Sequence, residues 1–224
     1  MKILENGLKR YSLEELNEIL LSDLPVVLNS TDFSRMNLND MDFTGASLVH
    51  SSFQQASCER TVFNDANLTG STFTGCHMKS ADFTGAILVE ACFLVADLTD
   101  ANFSGSISYD TRFSEVKNKT DLSHCDFTNA QLNGANFSGA SCRDVNFSGA
   151  SLMNVNFSDS DLSYSNFHGA ICRDANFSGS NTHGCKRIMQ YDVIEMQLQL
   201  IEKKRREQGK SQKQEHKKQI SIED

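Results

Sequence analysis

A hydrophobic residue recurs at every fifth position through most of this chain, flanked by small and polar residues. Phe returns every ten residues from Phe33 to Phe113, and Leu, Met or Cys stands midway at most of the intervening positions. Two residues before most of these centres lies a small residue, most often Ala. A period of five fits neither an amphipathic helix nor a flat strand. The pattern therefore predicts a repeat architecture in which each unit packs against its neighbours.

The period breaks once, between Phe113 and Leu122, and then continues to Phe177. Either one residue is lost across two units, or four residues are inserted within one unit. Phe and non-Phe centres alternate, and Leu122 placed directly after Phe113 keeps that order. We therefore favour the insertion and predict a loop near 116–120 that carries Lys117 and Lys119.

The stretches Ala-Asn-Phe-Ser-Gly at 101–105, 135–139 and 175–179 resemble the A-(D/N)-(L/F)-x-x unit of the pentapeptide-repeat family. The resemblance covers residues 31–184. It implies an all-β solenoid, a right-handed quadrilateral β-helix of about seven to eight coils with four pentapeptides in each. Coils would stack at about 4.8 Å. Phe would fill two opposite sides, side A beginning at Phe33 and side C at Phe43.

The open ends of a solenoid need caps. Residues 1–30 are predicted to form an N-terminal helical cap, because Ser12 and Glu15 form a capping box before an apolar stripe at 12–22. Pro25 then ends this segment.

Residues 185–208 are predicted to form a long helix whose apolar residues have heptad spacing. This helix either folds over the last coil or also joins a second copy in a homodimer. The basic segment 209–224 is predicted to be disordered. The candidate cap or dimer positions are Met189, Val193, Met196 and Leu200.

Charge is divided unevenly along the chain. Residues 31–184 hold 17 acidic and 8 basic residues, whereas residues 185–224 hold 10 basic and 7 acidic ones. The acidic body is not expected to bind nucleic acid directly. Side C carries acids without Lys or Arg and is a candidate surface for a basic protein partner. The candidate partner-binding residues are Asp42, Asp65, Asp82, Asp126, Lys117 and Lys119.

The sequence shows no evident catalytic site. The His residues fall on scattered outward positions, and no metal-ligand spacing or phosphate-binding Gly loop occurs. The 7 Cys residues contain no CxxC pair, which favours free thiols in a reducing compartment. No apolar run reaches the length of a transmembrane helix. We expect no enzyme activity, no cofactor and no metal.

The resemblance and the charge pattern suggest two functions. The first is a non-enzymatic protein-interaction scaffold, either in a bacterial cytoplasm or secreted into a host cell as an effector. The second follows from family members that mimic DNA, bind type II topoisomerases and protect gyrase from quinolones. This chain departs from those members in its long basic tail and short loop.

Overall fold

The computed structural model describes residues 1–22, 24–114 and 119–186, and the five-residue period closes there into a four-sided β-helix. Parallel bridges join residues 20 apart, such as Asp42 with Val62, so each coil uses four pentapeptides, one on each side. Sides A, B and C begin at the centres Phe33, Leu38 and Phe43, and side D begins one unit before them, at Leu28. The bridges run from Val27 to Lys186, a wider span than the 31–184 expected from the period.

Four extra residues enter the β-helix after side A of the fifth coil. Asn102 bridges to Asp126, 24 residues on, whereas Asp121 and Ser141 are again 20 apart. Strand β3 (Arg112–Ser114) lies just before this point and pairs in parallel with β4 (Asn136–Phe137) of the next coil. Because the register on both sides of the insertion is intact, the additional residues leave the four faces aligned. The predicted loop residue Lys117 lies outside the described residues.

Two columns of stacked Phe rings fill the interior. Rings on side A stack at 4.7 Å between Phe33 and Phe53, and at 4.6 Å between Phe113 and Phe137 across the insertion. The column on side C meets them edge to face, as Phe103 does with Phe93 at 5.8 Å. These side chains are fully buried. Each contributes about 1.5–3 kcal/mol of transfer free energy as an upper bound.

Four positions of each pentapeptide have fixed roles in this geometry. The leading residue, just before the centre, forms the bridge, and the trailing residue follows the centre; both lie on the outside of the tube. The small residue two before the centre is internal, and its hydroxyl can bind a carbonyl of the preceding coil, as Thr61 Oγ1 does with Leu38 O at 2.9 Å. The corner residue, two after the centre, has a positive φ, as in a type II turn.

The N-terminal segment covers the first coil with a helix and a small hairpin. Helix α1 (Leu13–Leu20) begins after Ser12, whose capping box with Glu15 is formed, close to the predicted 12–22. Strand β1 (Lys2–Ile3) pairs antiparallel with β2 (Lys9–Arg10). Lys9 then bridges to Thr31, so β2 occupies the first backbone edge of side A.

The predicted C-terminal helix 185–208 and tail 209–224 lie outside the described residues from residue 187 onward. This applies to the candidate cap or dimer positions Met189, Val193, Met196 and Leu200.

Candidate functional site

Three predicted site residues on side C lie in one straight column. The bridges run from Asp42 through Val62 to Asp82, and from Asp82 through Asn102 to Asp126. These carboxylates therefore stand on every second coil, about 10 Å apart at the usual spacing of neighbouring strands. Asp42 is exposed, and Asp82 and Asp126 are partly exposed. We call these three residues the acidic row.

Each carboxylate of the acidic row closes a local turn. Oδ1 of Asp82 accepts hydrogen bonds from the backbone N–H of Thr84 at 3.0 Å and from its hydroxyl at 2.6 Å. Asn102 makes the same two bonds with Ser104 through its amide oxygen, at 3.0 and 2.7 Å. Because Asn serves the turn equally well, the fold does not require the negative charge at these positions.

Two hydrogen-bonded chains link the acidic row to its neighbours. The Asn102 amide donates to Thr84 Oγ1 at 2.9 Å, and that hydroxyl donates to Asp82. The same arrangement joins Asn146, Thr128 and Asp126, with the amide donating at 2.8 Å. Neighbouring coils therefore help to hold Asp82 and Asp126 in place, and Asp42 is held by the turn bonds to Thr44.

The remaining candidates do not join the acidic row. Asp65 occupies the corner between sides C and D, with a φ of +57°. Lys119 is exposed at the corner between sides A and B, diagonally across the β-helix. It borders a shallow depression of about 300 Å³ lined also by Asp159 and Asp161. The structure thus brings together three of the six predicted partner-binding residues.

Sides B and C differ in whether basic residues accompany their acidic ones. At the corner between sides B and C, Arg60 binds Asp40 through two hydrogen bonds of 2.7 and 2.9 Å, which lower the pKa of that carboxyl. Arg143 lies 3.7 Å from Asp161. On the described part of side C, no Lys or Arg occurs before Lys186, the last residue of its column. Before Lys186, the outward columns of side C therefore carry charge of a single sign.

Helix α1 adds an apolar wall at one end of side C. A groove of about 390 Å³ lies between the helix, which contributes Asn17, Leu20 and the adjoining Leu21, and the first coil, which contributes Asp42. Leu21 is 86% exposed. Exposed apolar surface therefore adjoins the acidic row at this end of side C.

Side D carries a feature that the sequence patterns above did not reveal. Its outward positions include Ile87, Val89, Ile107 and Tyr109, where the other sides mostly carry Asp, Asn, Ser or Thr. Reading the outward positions at a stride of 20 residues, rather than five, would have shown that these residues share one face.

The described residues contain no cluster of metal-ligating side chains, and burial shifts the pKa of some of their thiols. No group of three His, Cys, Asp or Glu side chains there is placed to hold a metal ion. Burial raises the pKa of the Cys125 thiol, and raises that of Cys185 to about 11. No helix among the described residues is long and apolar enough to cross a membrane.

Family models match the chain on both sides of the insertion. Pentapeptide repeats match at 26–57, 42–79, 61–93 and 76–107, and a pentapeptide repeat region matches at 120–187. A search of the curated proteins found no match.

Solved structures of repeat proteins are also similar to this chain. HetL, a pentapeptide repeat protein involved in heterocyst differentiation regulation from Nostoc sp. strain PCC 7120, is 21% identical, with a TM-score of 0.33. The match covers 79% of this chain and 94% of HetL. QnrB1, a plasmid-mediated fluoroquinolone resistance protein, is 21% identical over 75% of this chain and 99% of its own, with a TM-score of 0.36.

Proposed function

The chain belongs to the pentapeptide-repeat family, whose fold is a right-handed quadrilateral β-helix, and we propose that it is a non-enzymatic scaffold that binds a basic protein partner through side C. The acidic row carries this proposal, because Asp42, Asp82 and Asp126 occupy one column of a rigid face. Charge of one sign in a fixed array steers a partner of opposite sign and sets its register.

The row can be neutralised without altering the fold. In the triple variant Asp42→Asn, Asp82→Asn and Asp126→Asn, each amide oxygen can replace the carboxylate in its turn, as Asn102 already does. The matched control is Asp97→Asn, Asp121→Asn and Asp161→Asn on side B. Those residues have the same leading position and accept the same backbone hydrogen bond of the turn, from the N–H groups of Thr99, Ser123 and Ser163. Both variants lose the same net charge.

The test is affinity capture from the native host, followed by binding measurements on whatever is retained. We expect a basic protein to be retained by the wild type and by the side B variant, and its binding to weaken at least tenfold in the side C variant. An equal loss of binding in both variants would show that only the net charge of the protein matters, and not the position of the acids on side C. Unchanged binding in the side C variant would show that side C is not the contact face.

The DNA-mimic alternative requires a denser array than the acidic row supplies. One strand of DNA carries a phosphate every 3.4 Å of helix axis, whereas the row has one carboxylate about every 10 Å. A supercoiling assay with purified gyrase separates the two functions. We expect neither inhibition nor protection from quinolones at micromolar protein, and inhibition that the side C variant abolishes would favour the mimic.

A further inference from the structure

Side D has an apolar surface on a molecule whose other faces are largely polar. Ile87 and Ile107 are bridge partners on neighbouring coils, and Val89 and Tyr109 follow them in the trailing positions. All four are partly exposed. Contiguous apolar patches on a soluble protein mark interaction surfaces more often than isolated exposed residues do.

The leading positions of side D are symmetric about the middle of the β-helix. We number the coils of this side from 1 at Val27 to 8 at Ile171. Apolar leading residues occur on coils 1, 4, 5 and 8, as Val27, Ile87, Ile107 and Ile171. Val27 is 57% exposed and Ile171 is 54% exposed. The coils between them carry polar residues of matching type: Ser47, Asn67, Gln131 and Ser151.

The trailing positions repeat this symmetry with a different set of coils. Apolar trailing residues occur on coils 2, 4, 5 and 7. Coils 1, 3, 6 and 8 carry polar ones, including Asn29 and Arg173 at the two ends. In each column, the order of apolar and polar residues from coil 1 to coil 8 is therefore the same as the order from coil 8 to coil 1. The apolar trailing residues are Val49, Val89, Tyr109 and Met153.

We propose that side D is the contact face of a homodimer in which two copies pack face to face and antiparallel. The two copies are related by a two-fold axis that runs along the strand direction of side D. This axis places coil 1 of one copy opposite coil 8 of the other, and coil 4 opposite coil 5. The leading positions of one copy then face the leading positions of the other. Every apolar residue of both columns then meets an apolar residue of the second copy, as an isologous interface requires. Ile87 of one copy faces Ile107 of the other.

A parallel arrangement does not fit the same pattern. It would place each coil opposite its own copy, with leading positions opposite trailing ones. Val27 would then face Asn29, and Ile171 would face Arg173, so apolar residues would be buried against polar ones at both ends. The pattern thus favours the antiparallel arrangement.

The corners of side D influence the contact in opposite ways. At the corner with side C, Gly85 lies opposite Gly105 of the second copy, which permits close approach. At the corner with side A, Glu90 lies opposite Asp110, and this like-charge pair opposes association until salt screens it.

The contact area sets the expected strength. Eight coils give a face about 34 Å long, with about 7 Å between its two outward columns. This face is smaller than the contact area of most specific interfaces, so we expect a weak dimer that forms only at high protein concentration. Both copies of side C then point to the same side of the dimer. The dimer does not depend on the function proposed for that side, and each proposal can fail without the other.

Sedimentation of the full chain over a range of concentrations tests the association. We expect the wild type to dimerise, Ile107→Asp to weaken dimerisation at least tenfold, and Glu90→Gln with Asp110→Asn to strengthen it. The matched control Val62→Asp places the same charge in a partly exposed leading position of side C and should dimerise like the wild type. A wild type that is monomeric at 200 µM would overturn the proposal. So would undiminished dimerisation of Ile107→Asp, as expected for a dimer made through residues 189–200.

Cross-linking tests the antiparallel arrangement directly. Val27 and Ile171 lie about 34 Å apart along one copy, so a disulfide between cysteines at these positions can form only between copies. Under mild copper phenanthroline oxidation, Val27→Cys with Ile171→Cys should give a covalent dimer linked between positions 27 and 171. Neither single variant should do so. Equal cross-linking of a single variant, or none in the double variant, would contradict the arrangement.

Discussion

At the scale of single residues, the corner position accounts for much of the sequence pattern. Gly45 has a φ of +66° there, yet Asp40, with a φ of +62°, adopts the same conformation without being Gly. The sequence predicts unusual angles at the Gly corners. It could not predict them at Asp40 or Arg60, because intrinsic preference disfavours a positive φ for such residues and the stacked coils impose it.

Val95 is the corner residue least suited to its conformation. It is the β-branched residue among the described residues with positive φ, at +62°, and it is 53% exposed. Asn tolerates this conformation better, and little burial is lost by the exchange. We expect Val95→Asn to raise the free energy of unfolding by about 0.5–1 kcal/mol, measured by urea denaturation. The control Val62→Asn, which lacks a positive φ, should give no gain; an equal gain there would refute the explanation by backbone strain.

At the scale of elements, the insertion after β3 is held at its base by one side chain. Thr120 Oγ1 donates to Phe93 O at 3.0 Å and accepts the backbone N–H of Val95 at 3.1 Å. Its own N–H donates to Ser114 Oγ at 3.2 Å. Thr120 occupies the internal small position, so the first pentapeptide after the insertion resumes the register at once.

Substitution of Thr120 by Val should therefore cost more than the same change elsewhere in the interior. It leaves the Val95 N–H without its acceptor, a loss of about 1–3 kcal/mol. Thr111 is the matched control, because its hydroxyl donates to Leu88 O at 2.7 Å in the same internal position. Chemical denaturation of both variants compares the costs. A Thr111→Val variant as unstable as Thr120→Val would show that the N–H bond at the insertion is unimportant.

The sequence predicted some elements and missed others for identifiable reasons. The Phe and Leu alternation located the insertion, since each internal position accepts only certain side chains. Ser12 and Glu15 predicted the start of α1. Strands β1 and β2 are two residues long and were missed, because so short a strand has no periodic pattern of its own. Their pairing depends on the open edge of the first coil.

At the scale of the whole molecule, function depends on which residues share a face. The members of the acidic row could be predicted, together with Asp65, because they are acids on a side that carries no Lys or Arg within residues 31–184. The symmetric apolar surface of side D could not be found from the five-residue period, since equivalent positions on neighbouring coils are 20 or 24 residues apart and polar residues occupy several of them. Both surfaces depend on the same register across the insertion.

Paired cysteines test that register most directly. Asn102 and Asp126 are bridge partners in the structure, 24 residues apart, whereas Asp121 lies on side B. Loss of one residue across two units would instead place Asp121 beside Asn102. Asn102→Cys with Asp126→Cys should form an intrachain disulfide on mild oxidation, detected by mass spectrometry of peptides, because neighbouring strands bring the Cα atoms within reach. Asn102→Cys with Asp121→Cys should not. A link between positions 102 and 121, without one between 102 and 126, would contradict the register and both surfaces built on it.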